Sequence, residues 1–173
     1  MRDFYISESK ELRDIDKLVD AIKQDGWVDG ETTIVVCSPE YSSIICQILC
    51  HRLSYLRKYV PLDLDFLEMP YPGGQGLSDA GYEQLIHQFA TRYKNKLNKL
   101  LFVDSGVLRG RNYTTLKRTM SSYMSNILTK YACVYKQQDS IFEPDYCVET
   151  FDFEQDGGLT FWWEDPNNPY WGW

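Results

Sequence analysis

The order of the apolar patterns along the chain is the feature that most restricts what it can fold into. Thr32–Cys37 and Leu100–Asp104 are short apolar runs typical of buried strands, and each precedes an apolar stripe at helical spacing. An earlier helical stripe, Leu12–Ile22, is ended by Asp25-Gly26, where glycine suits a left-handed cap. Because strand and helix patterns alternate as far as Ile127, we predict an α/β fold with a mostly parallel central sheet and helices on both faces.

The remaining patterns complete a single predicted domain over residues 1–173. Alternating apolar residues predict a strand at Val60–Met69, and helical spacing predicts a helix at Tyr82–Tyr93. Three further strands are predicted near the C-terminus, at Tyr131–Tyr135, Tyr146–Phe151 and Leu159–Trp163. We expect these last strands to add an antiparallel edge or a small C-terminal β hood at about residues 140–173.

Composition narrows the choice of partners. The chain holds 25 acidic and 18 basic residues, for a net charge of -7, without a long basic run. This balance argues against a nucleic-acid partner and favours a small phosphorylated ligand.

Five cysteines with no CxxC pair argue against a disulfide framework or a zinc ribbon. We interpret Cys46 and Cys50 as buried thiols on a core helix, and not as metal ligands with His51. The absence of a signal-peptide pattern and of a long apolar run leads us to expect a cytoplasmic protein without a membrane partner.

The segment after Leu100–Asp104 carries the clearest chemical pattern. In open parallel sheets, ligands bind beyond the carboxyl ends of the strands, and a helix that starts there offers free N–H groups and the positive end of its dipole. Gly110 allows a close approach of the backbone to an anion, while Arg109 and Arg111 add cationic groups. Asp104, at the predicted end of the strand, is suited to accept hydrogen bonds from sugar hydroxyls. Together these residues predict a site for a sugar phosphate.

The same segment, LLFVDSGVLRGRNYTTL, resembles the phosphoribosyl-pyrophosphate motif of the type I phosphoribosyltransferases. That motif is an apolar strand, two acids, two apolar residues, a variable or acidic residue and Thr-Gly-x-Thr at the start of a helix. Asp104 matches the first acid, and Ser105 stands in the place of the second. The tetrapeptide Arg109-Gly110-Arg111-Asn112 stands in the place of Thr-Gly-x-Thr.

The resemblance extends over the rest of the chain in the same order. Val35–Tyr41 is similar in placement to the family's pyrophosphate loop, and Tyr71–Leu77 lies where the family has its flexible loop. Phe161-Trp162-Trp163-Glu164 looks like the aromatic-Pro-Trp-Glu segment that closes the hood of many members. The resemblance implies the α/β fold predicted above, with a small hood.

The resemblance also implies an activity and a set of roles. The implied activity is the transfer of phosphoribosyl from phosphoribosyl pyrophosphate to a nucleobase, with Mg²⁺ as the cofactor. The resemblance leaves open whether the chain forms a homodimer. The implied catalytic residues are Asp104 and Ser105, with Asp104 also as the metal ligand. The implied phosphate-binding residues are Arg109, Gly110, Arg111 and Asn112; those of the pyrophosphate loop are Ser38, Pro39, Glu40 and Tyr41; those facing the base are Tyr71, Trp162 and Trp163.

Departures from the family pattern leave two alternatives open. Ser105 lacks the second carboxylate, Leu108 stands where purine-specific members carry an acid, and the motif's threonines are absent. The first alternative is a catalytically inactive protein that binds a nucleotide or sugar phosphate, or regulates, on the same fold. The second is an interaction protein whose aromatic tail, Trp162–Trp173, docks a partner.

Overall fold

Strands and helices follow one another throughout the part of the chain that the structure describes. The computed structural model describes residues 4–37, 39–53, 59–62, 79–93, 96–152 and 159–162. Its elements are β1 (Phe4–Ile6), α1 (Glu8–Asp25), β2 (Thr32–Val36), α2 (Pro39–Arg52), β3 (Tyr59–Pro61), α3 (Asp79–Tyr93), β4 (Lys99–Val107), α4 (Arg111–Tyr123), β5 (Leu128–Gln137), β6 (Tyr146–Phe151) and β7 (Leu159–Phe161).

The central sheet has five strands in the order β3-β2-β4-β5-β6, and every neighbouring pair is parallel. The chain passes from β2 outward to β3 and then returns to place β4 on the other side of β2. This reversal makes the carboxyl ends of β2 and β4 the topological switch point, where open α/β sheets bind ligands. The predicted fold class, a parallel sheet in an α/β domain, is confirmed.

Two apolar cores lie on opposite faces of this sheet, as the sequence predicted. Helices α1 and α2 bury one face, and α3 and α4 bury the other. The first core includes Ile15, Leu18, Ile45, Leu49, Ile34, Val36, Leu101 and Val103. The second includes Ile86, Phe89, Leu116, Met120, Val35, Leu100 and Phe102. Alternate residues of β2 and β4 thus point to alternate faces, as the period of an extended strand requires.

Helix α1 shows how local signals set the ends of an element. The Ser7 side chain accepts a hydrogen bond from the backbone N–H of Lys10 at 3.3 Å, which caps the helix five residues before the apolar stripe begins at Leu12. At the other end Gly26 has φ +66° and donates its N–H to the carbonyl of Ile22. The stop predicted at Asp25-Gly26 is confirmed.

Strand β4 is longer than predicted. The expected strand end at Asp104 is wrong, because β4 continues to Val107 and only residues 108–110 separate it from α4. The physical reason is that the sheet ladder persists, with Gly106 opposite Tyr135 on β5. Asp104 and Ser105 therefore lie inside the strand and are not in a turn.

The C-terminal strands also differ from expectation. β6 is the parallel edge strand of the central sheet, so its predicted antiparallel pairing and its place in a hood are wrong. Parallel neighbours normally need a long crossover that contains a helix, and residues 138–145 make this one without a helix. β7 pairs with β1 in a separate two-stranded parallel sheet, where Tyr5 stands opposite Thr160. Of the strand predicted at Val60–Met69, residues 63–69 lie outside the described part of the chain.

Candidate functional site

Asp104, the first acid of the predicted site, lies buried between β4 and α4. It is 4% exposed. Its Oδ1 accepts hydrogen bonds from the backbone N–H of Ser105 at 2.6 Å and from Ser105 Oγ at 3.3 Å, and its Oδ2 accepts one from the Tyr113 hydroxyl. Because both carboxylate oxygens accept hydrogen bonds inside the protein, Asp104 ties strand β4 to helix α4.

Gly110 forms the tight turn between β4 and α4. Its φ is +76°, in the left-handed region that disfavours residues with a Cβ. A Cβ at this position would lie 2.6 Å from both Phe142 Cβ and Ser140 Oγ. The Ile141 N–H also donates to the Arg109 carbonyl at 3.2 Å. The connection between β5 and β6 therefore packs directly against this turn, and only glycine fits.

The start of α4 carries exposed positive charge. Arg109 and Arg111 are exposed on either side of Gly110, and neither forms an ion pair with any residue that the structure describes. No side chain caps the helix at Gly110, and the first turn of α4 contains no acidic residue. Asn112 is half-buried in this turn. The positive end of the helix dipole and two guanidinium groups both favour an anion here.

The start of α2 lies at the same edge of the sheet as the start of α4. Val36 of β2 stands opposite Val103 of β4, and the Cys37 N–H donates to the Val103 carbonyl at 2.9 Å. Helix α2 begins at Pro39, so Pro39, Glu40 and Tyr41 of the predicted pyrophosphate loop form its first turn. Ser38 and the side chains of residues 39–41 lie outside the described part of the structure. Two helix N-termini therefore follow neighbouring strands at the switch point.

Trp162 contacts helix α1. The indole Nε1 of Trp162 donates to Glu11 Oε2 at 2.8 Å, and Glu11 is 2% exposed. Burial raises the pKa of Glu11 to about 7, and the negative charges of Glu8 and Asp14 act in the same direction. Tyr71 and Trp163, the other two residues predicted to face a base, lie outside the described residues.

Comparison with solved structures identifies the fold. A purine phosphoribosyltransferase from Pyrococcus horikoshii Ot3 superposes with a TM-score of 0.63 at 17% identity, covering 95% of each chain. The Helicobacter pylori xanthine-guanine-hypoxanthine phosphoribosyltransferase also gives 0.63, at 15% identity, over 93% of this chain and 91% of its own. The chain has a type I phosphoribosyltransferase-like fold. The resemblance noted in the sequence is thus confirmed at the level of the fold.

A third neighbour with this phosphoribosyltransferase-like fold is a hypothetical protein from Neisseria gonorrhoeae with bound ppGpp. It is 14% identical, with a TM-score of 0.61 over 97% of this chain and 93% of its own. No family model and no curated protein matches the sequence. Among the described residues, no helix is both long and apolar enough to cross a membrane.

The described side chains at the switch point do not provide the carboxylates that a magnesium ion held by the protein would need. Magnesium sites usually use one or two carboxylates together with the phosphates of a substrate. Ser105 offers no carboxylate, and both oxygens of Asp104 are engaged by Ser105 and Tyr113. The described ranges contain no cluster of three or more His, Cys, Asp or Glu side chains arranged to hold a metal.

Sequence reasoning missed two residues around Asp104, Tyr113 and Phe142. Tyr113, the third residue of α4, belongs to the quoted motif, and its aromatic hydroxyl near a strand-end acid is a signal that could have been used. Phe142 packs its ring against Tyr113 at 5.3 Å between centroids and against Tyr131 at 5.1 Å. No local sequence pattern predicts this contact, because it depends on the path that residues 138–145 take between β5 and β6.

Proposed function

We propose that this chain binds a nucleotide or a phosphorylated sugar where α2 and α4 begin, as a binding protein on the phosphoribosyltransferase-like fold. The observation that carries the proposal is the pair of exposed guanidinium groups, Arg109 and Arg111, beside an N-terminus of α4 that has no side-chain cap and no acid. An exposed cation pair at a helix N-terminus suits a phosphate group. Its position beyond β4 at the switch point is where this fold class holds ligands.

The contacts of Asp104 favour binding over transfer. A transferase of this family would use paired carboxylates on the ribose and the metal, whereas Ser105 has replaced one and Tyr113 engages the other. The turn at Gly110 is closed on one side by Phe142, which leaves its outer side, with both arginines, for a ligand. Among the described residues of this site, the arginines attract phosphate, while the carboxylate of Asp104 is already engaged on both oxygens.

The neighbouring structures support a nucleotide as the ligand. The Neisseria gonorrhoeae protein of similar fold holds ppGpp, a nucleotide with two diphosphate groups. The formal charge of this chain, -7, opposes loosely held anions, so recognition has to depend on local groups and not on the overall field. We therefore place the phosphate on Arg109, Arg111 and the N–H groups of α4.

Calorimetric titration tests this proposal. The ligands are guanosine 5′-monophosphate, ppGpp and phosphoribosyl pyrophosphate, with unphosphorylated guanosine as the comparison. We expect binding by at least one phosphorylated compound and none by guanosine. The double variant Arg109→Gln/Arg111→Gln should weaken that binding by about tenfold or more, since a hydrogen bond to a charged group contributes roughly 1.5–3 kcal/mol.

The matched control lies further along the same helix. Arg118→Gln removes one positive charge from α4, as many as either single variant, Arg109→Gln or Arg111→Gln, and Arg118 pairs with Glu83 at 2.5 Å on an exposed surface. We expect this control to bind as the wild type does, because exposed ion pairs contribute little. Failure of every phosphorylated compound to bind, or equal losses in the control and the double variant, would contradict the proposal.

A second candidate function is phosphoribosyl transfer to a nucleobase with Mg²⁺. The observation that favours it is the match over more than nine-tenths of the chain to two solved purine phosphoribosyltransferases. Catalysis in such a reaction depends mainly on positioning and on stabilising the charge of the leaving pyrophosphate. Release of pyrophosphate from phosphoribosyl pyrophosphate, magnesium and a panel of purine and pyrimidine bases tests it. Turnover with any base would establish transfer, and its absence across the panel would reject it.

A further inference from the structure

Two cysteines stand directly opposite each other on neighbouring strands of the central sheet. Cys133 of β5 and Cys147 of β6 are register partners in a parallel pair. Register partners in a parallel pair point to the same face, and both side chains contact the core beneath α3 and α4. The two thiols also perturb each other, since hydrogen bonding between them raises the pKa of Cys133 and lowers the pKa of Cys147.

We propose that Cys133 and Cys147 form a reversible disulfide when the protein meets a peroxide. Neighbouring strands lie about 4.8 Å apart, and disulfides usually join Cα atoms separated by about 4.4–6.8 Å. The pair can therefore close without moving a strand out of the sheet. The strand spacing of about 4.8 Å exceeds the separation of about 3.5–4.5 Å that Cβ atoms have in most disulfides, so such a bond would be strained. Strained disulfides are the ones that cellular thiols reduce readily.

The two thiols differ in a way that assigns their order of reaction. Cys133 is fully buried, whereas Cys147 is half-buried on the edge strand and can be reached from solvent. The hydrogen bond from Cys133 lowers the pKa of Cys147, and the positive charge of Lys136 acts in the same direction. Redox-active cysteines are typically accessible, acidic and beside a second thiol that resolves them. Cys147 is thus the peroxide-reactive thiol and Cys133 the resolving thiol.

The chemistry balances in two steps. The Cys147 thiolate attacks one oxygen of hydrogen peroxide, the O–O bond breaks, and sulfenic acid and hydroxide form. The Cys133 thiol then attacks the sulfenic sulfur, its proton and the sulfenic hydroxyl leave as water, and the S–S bond forms. Peroxide is the oxidant, reduced to two water equivalents, and a dithiol such as reduced thioredoxin restores both thiols.

The pair lies next to the proposed ligand site. Cys133 is also the register partner of Asp104, so Asp104, Cys133 and Cys147 occupy one level on β4, β5 and β6. A bond between the two sulfurs would fix the spacing of β5 and β6 directly beside Asp104. An effect on ligand affinity is therefore expected, and that effect, unlike the disulfide itself, rests on the proposed function.

Peptide mapping after oxidation tests the disulfide independently of any ligand. The full-length protein is reduced, treated with stoichiometric hydrogen peroxide, blocked with N-ethylmaleimide and digested. We expect the number of alkylated thiols to fall by two from the five cysteines of the chain. A peptide linked through Cys133 and Cys147 should appear and should vanish on treatment with dithiothreitol.

Three variants sharpen the test. Cys147→Ser should abolish the linked peptide, and Cys133→Ala should leave Cys147 as a sulfenic acid that dimedone traps. Cys50→Ser is the matched control, because Cys50 is also half-buried but burial raises its pKa; it should oxidise as the wild type does. Five alkylatable thiols after peroxide, a different pairing, or no dimedone adduct in folded Cys133→Ala would overturn the proposal.

Discussion

Glu11 and Trp162 make a contact whose contribution to stability should depend on pH. Glu11 lies on α1, and its Oε2 accepts the indole N–H of Trp162, which directly follows β7. Its other oxygen, Oε1, is buried without a hydrogen-bond partner among the described residues. An unpartnered buried oxygen is tolerated far better in a neutral carboxyl group than in a carboxylate. The perturbation that isolates this effect is Glu11→Gln, which keeps the acceptor for Trp162 and removes the ionisation.

The magnitude follows from the pKa of Glu11, which burial raises from its ordinary value of 4.5 to about 7. Between those two pH values the folded protein keeps a proton that the unfolded chain has released, so stability falls as pH rises. The stabilisation is fully present below pH 4.5 and is lost by the time pH exceeds 7. A pKa difference of this size corresponds to about 3 kcal/mol, at about 1.4 kcal/mol for each pH unit.

The assay is urea unfolding of the wild type and Glu11→Gln at pH 5 and pH 8. At pH 5 the free energies of unfolding should agree within about 1 kcal/mol, whereas at pH 8 the variant should be more stable by about 3 kcal/mol. A chain of this length should then show a melting temperature roughly 6–12 °C higher in the variant at pH 8.

A control on the same helix separates this effect from the general titration of acids. Asp20→Asn removes an exposed carboxylate of α1, and we expect a pH dependence within about 0.5 kcal/mol of the wild type. If the curves of Glu11→Gln and the wild type run parallel from pH 5 to pH 8, Glu11 ionises normally in the folded protein. The reasoning from its burial would then be refuted.

Two further substitutions test the contacts of the candidate site. Gly110→Ala should destabilise the protein by roughly 2–4 kcal/mol, because the backbone is left-handed and the added Cβ would meet closely packed atoms. The control Gly30→Ala, with no atom within 4 Å of the added Cβ, should change stability by less than about 0.5 kcal/mol. Equal effects of the two variants in urea unfolding would disprove the packing at the turn. Tyr113→Phe should lower the free energy of unfolding by about 1–3 kcal/mol, because Asp104 loses a hydrogen-bond donor while it stays buried. The control Tyr123→Phe, at an exposed ring, should leave it unchanged. An unchanged free energy of unfolding in Tyr113→Phe would show that the hydroxyl does not hold Asp104.

The sequence predicted the elements whose signals are local. The strand at Thr32–Cys37, the end of α1 at Gly26 and the strand at Tyr146–Phe151 all appear within a residue or two of their predicted places. In each case the information lies in a short run of residue types, such as a β-branched stretch or a glycine cap. The order of these elements was then enough to predict the parallel sheet and its two covered faces.

The errors came from contacts between residues distant in sequence. A polar pair such as Asp104-Ser105 is typical of the end of a strand, yet pairing with β5 keeps both residues inside β4. The short link after β5 is typical of an antiparallel strand pair, yet it crosses over to the parallel strand β6. Phe142, within this link, packs on Tyr113 and Tyr131. The bond between Trp162 and α1 joins residues 151 positions apart. Such contacts leave no periodic trace in the sequence.

The glycine of the motif illustrates why a matching residue type does not by itself establish a ligand site. A glycine after a strand is expected where backbone approaches a phosphate, but Gly110 is also required because Phe142 and Ser140 leave no room for a Cβ. Packing alone would therefore keep glycine here, with or without a ligand. No packing requirement explains the flanking arginines, since Arg109 and Arg111 are exposed and pair with no described residue. The indication of a ligand in this segment thus comes from its two arginines. Substitution of Arg109 and Arg111 therefore tests whether the segment binds a phosphate group.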